Sequence, residues 1–388
     1  MKIGALFAGI GGLDLGFQKL GHEILFASDI DPIAQLVLRE HLPGAKILGD
    51  ITQIKKLPKV DVLTGGFPCQ DISLAGTRLG LLGKRSGLVN EVLRLVEQGK
   101  PEFVVLENVL NLLRIEKGAA LISILSDFEQ LGYNWAYRVV DTRGFGLPQR
   151  RMRVVILASR GKRLPGEILF SANTESLVDD AISTLKISED YGFYWTEGKR
   201  GIGWATNSVP TIKGGSGLGI PSAPAVFSGM HRIAGTIDIR DAERLQGFPA
   251  DWTAIEGVGK IGNRWRLVGN AVSAPVSDWI ASAIEKPSES SNVSGTPIEK
   301  ISPLPHAAFN HGDGWQKIDS STHITHETHV PLRDFLNFPL QALSPRALAG
   351  YLKRVDEGDK KFPEGFVEDL RDQLHSSGDV RLPDFDLN

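Results

Sequence analysis

Five short apolar runs alternate with helix-periodic segments through the first 158 residues, and this alternation limits the possible folds more than any other feature. The runs at 3–7, 24–28, 60–64, 103–106 and 153–158 read as buried strands. Segments near 12–20, 32–41, 87–98 and 117–131 carry helical periodicity. Such alternation builds right-handed βαβ units and predicts an α/β fold with a parallel, doubly wound sheet. Ligands bind such sheets beyond the carboxyl ends of the strands, so chemistry is expected in the turns that follow each strand.

The pattern breaks after residue 158. Residues 160–235 are rich in Gly, Pro, Ser and Thr and read as a smaller, loop-rich domain. Helical spacing returns at 239–246 and 270–285. The predicted division is a catalytic and cofactor-binding domain at 1–158, a recognition domain at 159–238, and a return to the first domain at 239–285. A linker at 286–300 and an extension at 301–388 follow. Ser344-Pro345 is a good helix start, and Phe362, Phe366, Val367 and Leu370 suggest a second helix.

No apolar run nears the ~20 residues needed to cross a bilayer. The N-terminus reads as a strand and not as a cleavable leader, so the expected location is the cytoplasm, in association with the nucleoid. Net charge is −3, yet residues 138–163 hold eight basic residues against one acid. A second basic cluster is Lys260, Arg264 and Arg266. Basic stripes on a near-neutral chain suit a groove that contacts phosphates, though solvated faces look the same.

Phe7-Ala8-Gly9-Ile10-Gly11-Gly12-Leu13 follows the first strand and opens the first helix. Glycines there let a ligand approach the backbone and the helix N-terminus. Asp29 ends the second strand, where a carboxylate can accept from ribose hydroxyls. Asp50, at the next turn, could accept from an amino group, and Asp31 before Pro32 reads as a helix cap. Cys69 is the single cysteine, which rules out an internal disulfide and a multi-cysteine zinc site. A lone cysteine is usually a small core hydrophobe. This one follows a strand end, in Gly65-Gly66-Phe67-Pro68-Cys69-Gln70, on a loop at the ligand edge. A thiolate there suits addition to an electron-poor ring carbon. Glu107 closes another apolar strand, a costly position without a task or partner. If the last strand begins near Arg151, alternation puts Arg151 and Arg153 on one face.

These pieces, in this order, resemble the cytosine-C5 DNA methyltransferase family of bacterial and phage restriction-modification type. The resemblance is carried by the 7–13 loop, Asp29, Gly49-Asp50-Ile51, Pro68-Cys69-Gln70, Ser86-Gly87-Leu88, Glu107-Asn108-Val109 and Gln149 to Arg153. Arg244-Leu245-Gln246-Gly247-Phe248-Pro249 and Val268-Gly269-Asn270-Ala271-Val272 extend it. It covers residues 1–285 apart from the middle of 160–235.

The resemblance implies a Rossmann-like, doubly wound methyltransferase sheet that uses S-adenosylmethionine, releases S-adenosylhomocysteine and needs no metal. It implies a loop-rich recognition domain, while the tail beyond the family's usual end reads from its own residues as a helical C-terminal extension. Cys69 would add to C6 of a cytosine flipped out of duplex DNA, making C5 an enamine carbon. Glu107 would hydrogen-bond or protonate N3, Arg153 would hold O2, and Arg151 would buttress a phosphate. Phe7, Gly9, Ile10 and Gly12 would run under the cofactor, Asp29 would take its ribose and Ile30 its adenine face. Asp50 and Ile51 would hold the adenine edge, Gly66, Pro68 and Leu88 the methionine end, and Asn270 and Val272 would complete the pocket. Gln70 and Ser73 would follow the DNA. Arg200, Lys213, Ser216, His231 and Arg232 are the candidates for base or phosphate contact in the recognition domain. The expected partner is double-stranded DNA, with no membrane, a monomeric enzyme and a cognate restriction endonuclease acting separately.

Two features depart from the family. The stretch between Arg153 and Arg244 is short, and the tail after 286 is extra. Three rival readings fit the residues less well. RNA-acting relatives carry a Cys-Phe-Thr element after the arginine motif, which a chain whose only cysteine is Cys69 cannot have. A non-catalytic DNA-binding regulator would be expected to lack a catalytic residue, and none is missing. A nicotinamide dehydrogenase would leave Cys69 and Glu107 unexplained.

Overall fold

The computed structural model describes residues 1–68, 87–172, 185–197, 202–215, 221, 223–286, 293–298, 302–324 and 329–376. The chain divides into two compact units. The first comprises Met1–Asp141, Met152–Ser176 and Val272–His326, and the second Thr142–Arg151, Leu177–Ala271 and Glu327–Asn388. Strands and helices are numbered along the chain.

The first unit holds β1 (Lys2–Leu6), β2 (Glu23–Ser28), β3 (Lys46–Leu48), β4 (Val62–Gly65), β5 (Phe103–Val109), β6 (Asn134–Asp141) and β8 (Met152–Ser159). The tail adds β14 (Thr296–Pro297), β15 (Ala307–Asn310) and β16 (Gln316–Lys317). Together they form one sheet in the order β14-β16-β15-β6-β8-β5-β4-β1-β2-β3. β5, β4, β1, β2 and β3 are mutually parallel. The parallel expectation fails at β8, which runs antiparallel to both β5 and β6. An apolar run shows that a strand is buried and carries no signal of its direction.

Strand alternation places Leu63, Val104, Leu106, Val154 and Ile156 in one core with Val92, Leu95, Leu121, Leu125 and Phe128 of α3 (Leu88–Gly99) and α4 (Ala119–Gln130). Ile3, Val62, Val105 and Leu157 are equally buried on the other face. There α8 (Ala274–Glu285) packs against α1 (Leu15–Lys19) and α5 (Pro165–Leu169). Gly16 is obligatory at that contact, because a Cβ would strike the Ser277 backbone. Asp31 caps α2 (Pro32–His41) as expected, its Oδ1 accepting from Ile33 N at 3.0 Å.

In the second unit β9 (Asp190–Phe193), β10 (Ala205–Thr206), β12 (Ala225–Ser228), β13 (Ile233–Thr236) and β17 (Gln341–Ala342) form an antiparallel sheet, order β10-β9-β12-β13-β17. Phe193, Phe227 and Trp204 pack under Leu348, Tyr351 and Leu352 of α10 (Pro345–Asp356) and Phe366 and Leu370 of α11 (Phe366–His375). Val226 points the opposite way, into a cluster with Leu245 of α6 (Ile239–Leu245), Val268 of α7 (Ile261–Asn270) and Leu332 of α9 (Leu332–Phe335). A two-stranded parallel pair joins β7 (Gln149–Arg150) to β11 (Val209–Pro210). Residues 302–324 are thus part of the first sheet, and 329–376 supply layers of the second unit.

Candidate active site

Three loops at the carboxyl ends of the parallel strands form one cluster. Ala8 N donates to Ser28 O at 2.9 Å and Asp29 N to Leu48 O at 3.1 Å, which joins the turns after β1, β2 and β3. Phe7 and Gly9 both adopt left-handed backbone, at φ 51° and 58°. For Phe7 that conformation is strained and holds the loop in a tight bend. Among the described residues, a Cβ on Gly9 would meet nothing within 4 Å, so space lies open over it. A Cβ on Gly12 would run into the Val272 carbonyl, so this glycine lets the chain just before α8 close on the loop. Ile10 is buried.

Asp29 turns one carboxylate oxygen to Gly9 N at 2.8 Å and the other to Asp31 N at 2.9 Å. Ile30, beside it, is 72% exposed, an unusual exposure for an isoleucine. Asp50 accepts from Thr52 N at 2.9 Å, and Ile51 behind it is buried. The open cradle over Gly9, the exposed apolar Ile30 and the carboxylates of Asp29 and Asp50 fit a ligand with a flat base, a ribose and an amino-acid end. Leu88 is half-buried against the core and Pro68 is exposed.

Glu107 lies on β5, and Arg153 faces it from β8, Nε to Oε1 at 2.8 Å. Glu107 is only 7% exposed, so the pair is close to dry. Gly66 abuts it, since a Cβ there would sit 3.7 Å from Glu107 Oε2 and 3.4 Å from Val272. Asn108 Nδ2 donates to Phe67 O at 2.9 Å and ties the base of the Cys69 loop to the same strand. A carboxyl group with a fixed guanidinium can hold or deliver a proton while excess charge is neutralised. Cys69, Gln70, Ser73, Arg200 and Ser216 lie outside the described residues. Among the described residues no group of three or more His, Cys, Asp or Glu is arranged to hold a metal.

β8 starts at Met152, so Arg151 lies just before the strand that carries Arg153. Arg151 is buried and donates to Ile212 O at 3.0 Å and Ala271 O at 2.5 Å. Gln149, fully buried, donates to Leu245 O at 2.8 Å and accepts from Ile212 N at 3.0 Å. The pair therefore fastens residues 210–212 to α6 and to the turn after α7. Asn270 is exposed at the end of α7 in the second unit, and Val272 belongs to the first. Lys213 pairs with Glu197 and sits 3.7 Å from the Tyr194 ring centroid. Arg232 pairs with Asp369 at 2.6 Å, and His231 is exposed.

One residue escaped the sequence reading. Asp14 is fully buried, one carboxyl oxygen lies within hydrogen-bond distance of Thr64 Oγ1 at 2.9 Å, and its carboxyl is pushed up to about 7 by burial. Its signal was available: an acid inside the apolar stretch Leu13-Asp14-Leu15-Gly16-Phe17.

The chain is similar to known proteins along most of its length. Residues 1–190 match the family model for C-5 cytosine-specific DNA methylase. The chain is 46% identical over 365 residues to the type II methyltransferase M2.BsuMI of Bacillus subtilis (strain 168), spanning 92% of this chain and 93% of that one. It is 32% identical over 308 residues to M.BsuFI of Bacillus subtilis, covering 72% and 71% of the two chains. The solved structure of S. pombe Dnmt2 methyltransferase superposes with a TM-score of 0.50 at 19% identity, over 74% of this chain and 98% of that one, a likeness of fold alone. No described helix is long and apolar enough to cross a membrane. This chain belongs to the cytosine-C5 DNA methyltransferase family and uses S-adenosylmethionine to methylate cytosine in double-stranded DNA.

Proposed function

We propose that Cys69, Glu107 and Arg153 carry the reaction between them. The observation that supports this most is the dry Glu107–Arg153 pair, 2.8 Å apart, beside the Gly66 base of the Cys69 loop. The Cys69 thiolate adds to C6 of a flipped-out cytosine while Glu107 gives N3 a proton or hydrogen bond, so charge does not accumulate on the ring. S-adenosylmethionine supplies an electrophilic methyl group. Arg153 fixes the Glu107 carboxyl and offers a donor to O2. After the C5 proton leaves to base, the Cys69–C6 bond breaks and the ring regains aromaticity.

In the same proposal Phe7, Gly9, Ile10 and Gly12 floor the cofactor site, Asp29 takes the ribose and Ile30 the adenine face. Asp50 and Ile51 hold the adenine edge, and Gly66, Pro68, Leu88 and Val272 complete the pocket. Arg151 supports the chain around Ile212 and Ala271, through which it steadies any nearby phosphate contact. Gln70 and Ser73 follow the DNA; Arg200, Lys213, Ser216, His231 and Arg232 contact it from the recognition unit. Lys213 and Arg232 must give up their acidic partners Glu197 and Asp369 to do so. The relatives' names as type II methyltransferases support a place in a restriction-modification system, as a cytoplasmic, nucleoid-associated monomer beside a separate endonuclease. Bisulfite sequencing of DNA from cells expressing the protein tests the activity. One short motif protected as 5-methylcytosine is expected, and DNA with no protected cytosine would refute it.

A further inference from the structure

The Asp14 carboxyl lies between the glycine loop and β4. It is fully buried, and one oxygen meets Thr64 Oγ1 at 2.9 Å. The other oxygen is buried and has no hydrogen-bond partner among the described residues. Thr64 Oγ1 also reaches Gly4 O on β1, at 3.4 Å. The flanking residues are clamped by α8: Gly16 N donates to Ser277 Oγ at 3.0 Å, and Ser277 Oγ donates to Leu13 O at 2.5 Å. Water is thereby kept from the carboxyl.

An ionised carboxylate in this place would leave one charged oxygen with no donor, which is costly in a dry interior. A neutral acid does better. Its O–H donates to Thr64 Oγ1, whose own hydrogen then turns to Gly4 O, and only an uncharged carbonyl oxygen stays unpaired. We propose that Asp14 is a positioning residue for methyl transfer: its carboxylic acid, kept protonated, donates to Thr64 and locks the cofactor loop to the strand that leads to Cys69.

Charged groups on the packed elements do not offset this. Lys2 starts β1 and is exposed, Lys19 of α1 pairs with Asp278 of α8 on the surface, Glu285 ends α8, and β4 carries no charge. Burial raises the carboxyl to about 7, and the Thr64 hydroxyl opposes it. The neutral acid is thus favoured below neutrality, and alkaline pH should turn the Thr64 hydroxyl back toward Asp14 and loosen the loop.

The inference rests on the cofactor lying along the glycine loop, and two measurements separate the claims. Infrared difference spectra of the ligand-free protein, titrated from about pH 5 to pH 9, should show a protonated carboxylic C=O band that bleaches near neutrality. The band should be missing in Asp14→Asn. Calorimetry with S-adenosylhomocysteine should show affinity falling about tenfold from pH 6 to pH 8.5 in the wild type, the effect of one hydrogen bond. Asp14→Asn, whose amide can donate to Thr64 as the acid does, should bind with the low-pH affinity throughout; it also controls for titration of the ligand's amino group. A wild-type band that fails to titrate, or a variant that keeps the full pH dependence, overturns the proposal. Absent binding at every pH would instead count against the cofactor site. If Asp14→Asn fails to fold, the wild-type band, assigned by isotope-labelled aspartate, decides alone.

Discussion

Glu107 and Arg153 show why a few side chains dominate this site. Removing one partner from a dry ion pair leaves the other charge without compensation, at about 3–5 kcal/mol. Arg153→Ala should therefore lower stability by about that amount in urea titrations and abolish turnover. Glu107→Gln keeps the shape and should retain the fold while kcat falls by about 10²–10⁴, the usual range for a lost proton donor. Equal loss of stability in both variants would mean that the pair is structural only. Gly12→Ala forces a methyl into the Val272 carbonyl and should weaken S-adenosylhomocysteine binding at least as much as it lowers Tm. Glu107 was legible because it sits where an apolar run stops, and Arg153 because it opens the last run; β8 is antiparallel to β5, so these two ends meet at one edge of the sheet. Asp14 showed only as an acid within an apolar stretch, because it immediately precedes α1 and does not stand at a strand end.

At the scale of elements, the strands made of unbroken aliphatic residues were readable and β6 was not. Asn134, Trp135, Tyr137 and Arg138 interrupt its apolar pattern, yet all but Asn134 are buried. Arg138 is admitted because its guanidinium donates to Leu169 O, Ala172 O and Ser321 O at 2.8, 2.7 and 2.6 Å. Burial still pulls its pKa down to about 10. Arg138→Met should destabilise the protein by about 2–4 kcal/mol by stranding those carbonyls, with the KM for cofactor unchanged. Nearby, His311 Nε2 accepts from Gly166 N at 3.1 Å and so steadies the start of α5. Burial lowers this histidine below its ordinary 6.5, against the pull of Glu167 and Asp313. Below that pH the unfolded chain takes up a proton that the folded protein refuses, so stability should decline as pH falls through 6.5. His311→Gln, which keeps an acceptor and does not titrate, should reduce that slope in denaturation curves taken between pH 7 and pH 5.

At the scale of the molecule, the sequence signalled a smaller unit in the middle of the chain but not where its core comes from. Loops rich in Gly and Pro around β9 to β13 carry too few apolar residues to close a core alone. Leu343, Leu348, Tyr351, Leu352, Val355, Phe366 and Leu370 from the tail complete it. At about 1.5–3 kcal/mol for each buried side chain, their removal would cost about 10 kcal/mol or more, as much as the whole stability of a typical domain. A chain cut after residue 326 should therefore lose the cooperative unfolding of the second unit in calorimetry and methylate no DNA. The central claim, that Cys69 attacks the flipped base, is tested most directly by a duplex carrying 5-fluorocytosine at the target, incubated with S-adenosylmethionine. Fluorine cannot leave as the C5 proton does, so the wild type should be trapped as a denaturant-resistant adduct whose tryptic peptide carries the nucleotide on Cys69, and Cys69→Ser should yield none. An adduct on another residue, or one formed equally by Cys69→Ser, would contradict the account.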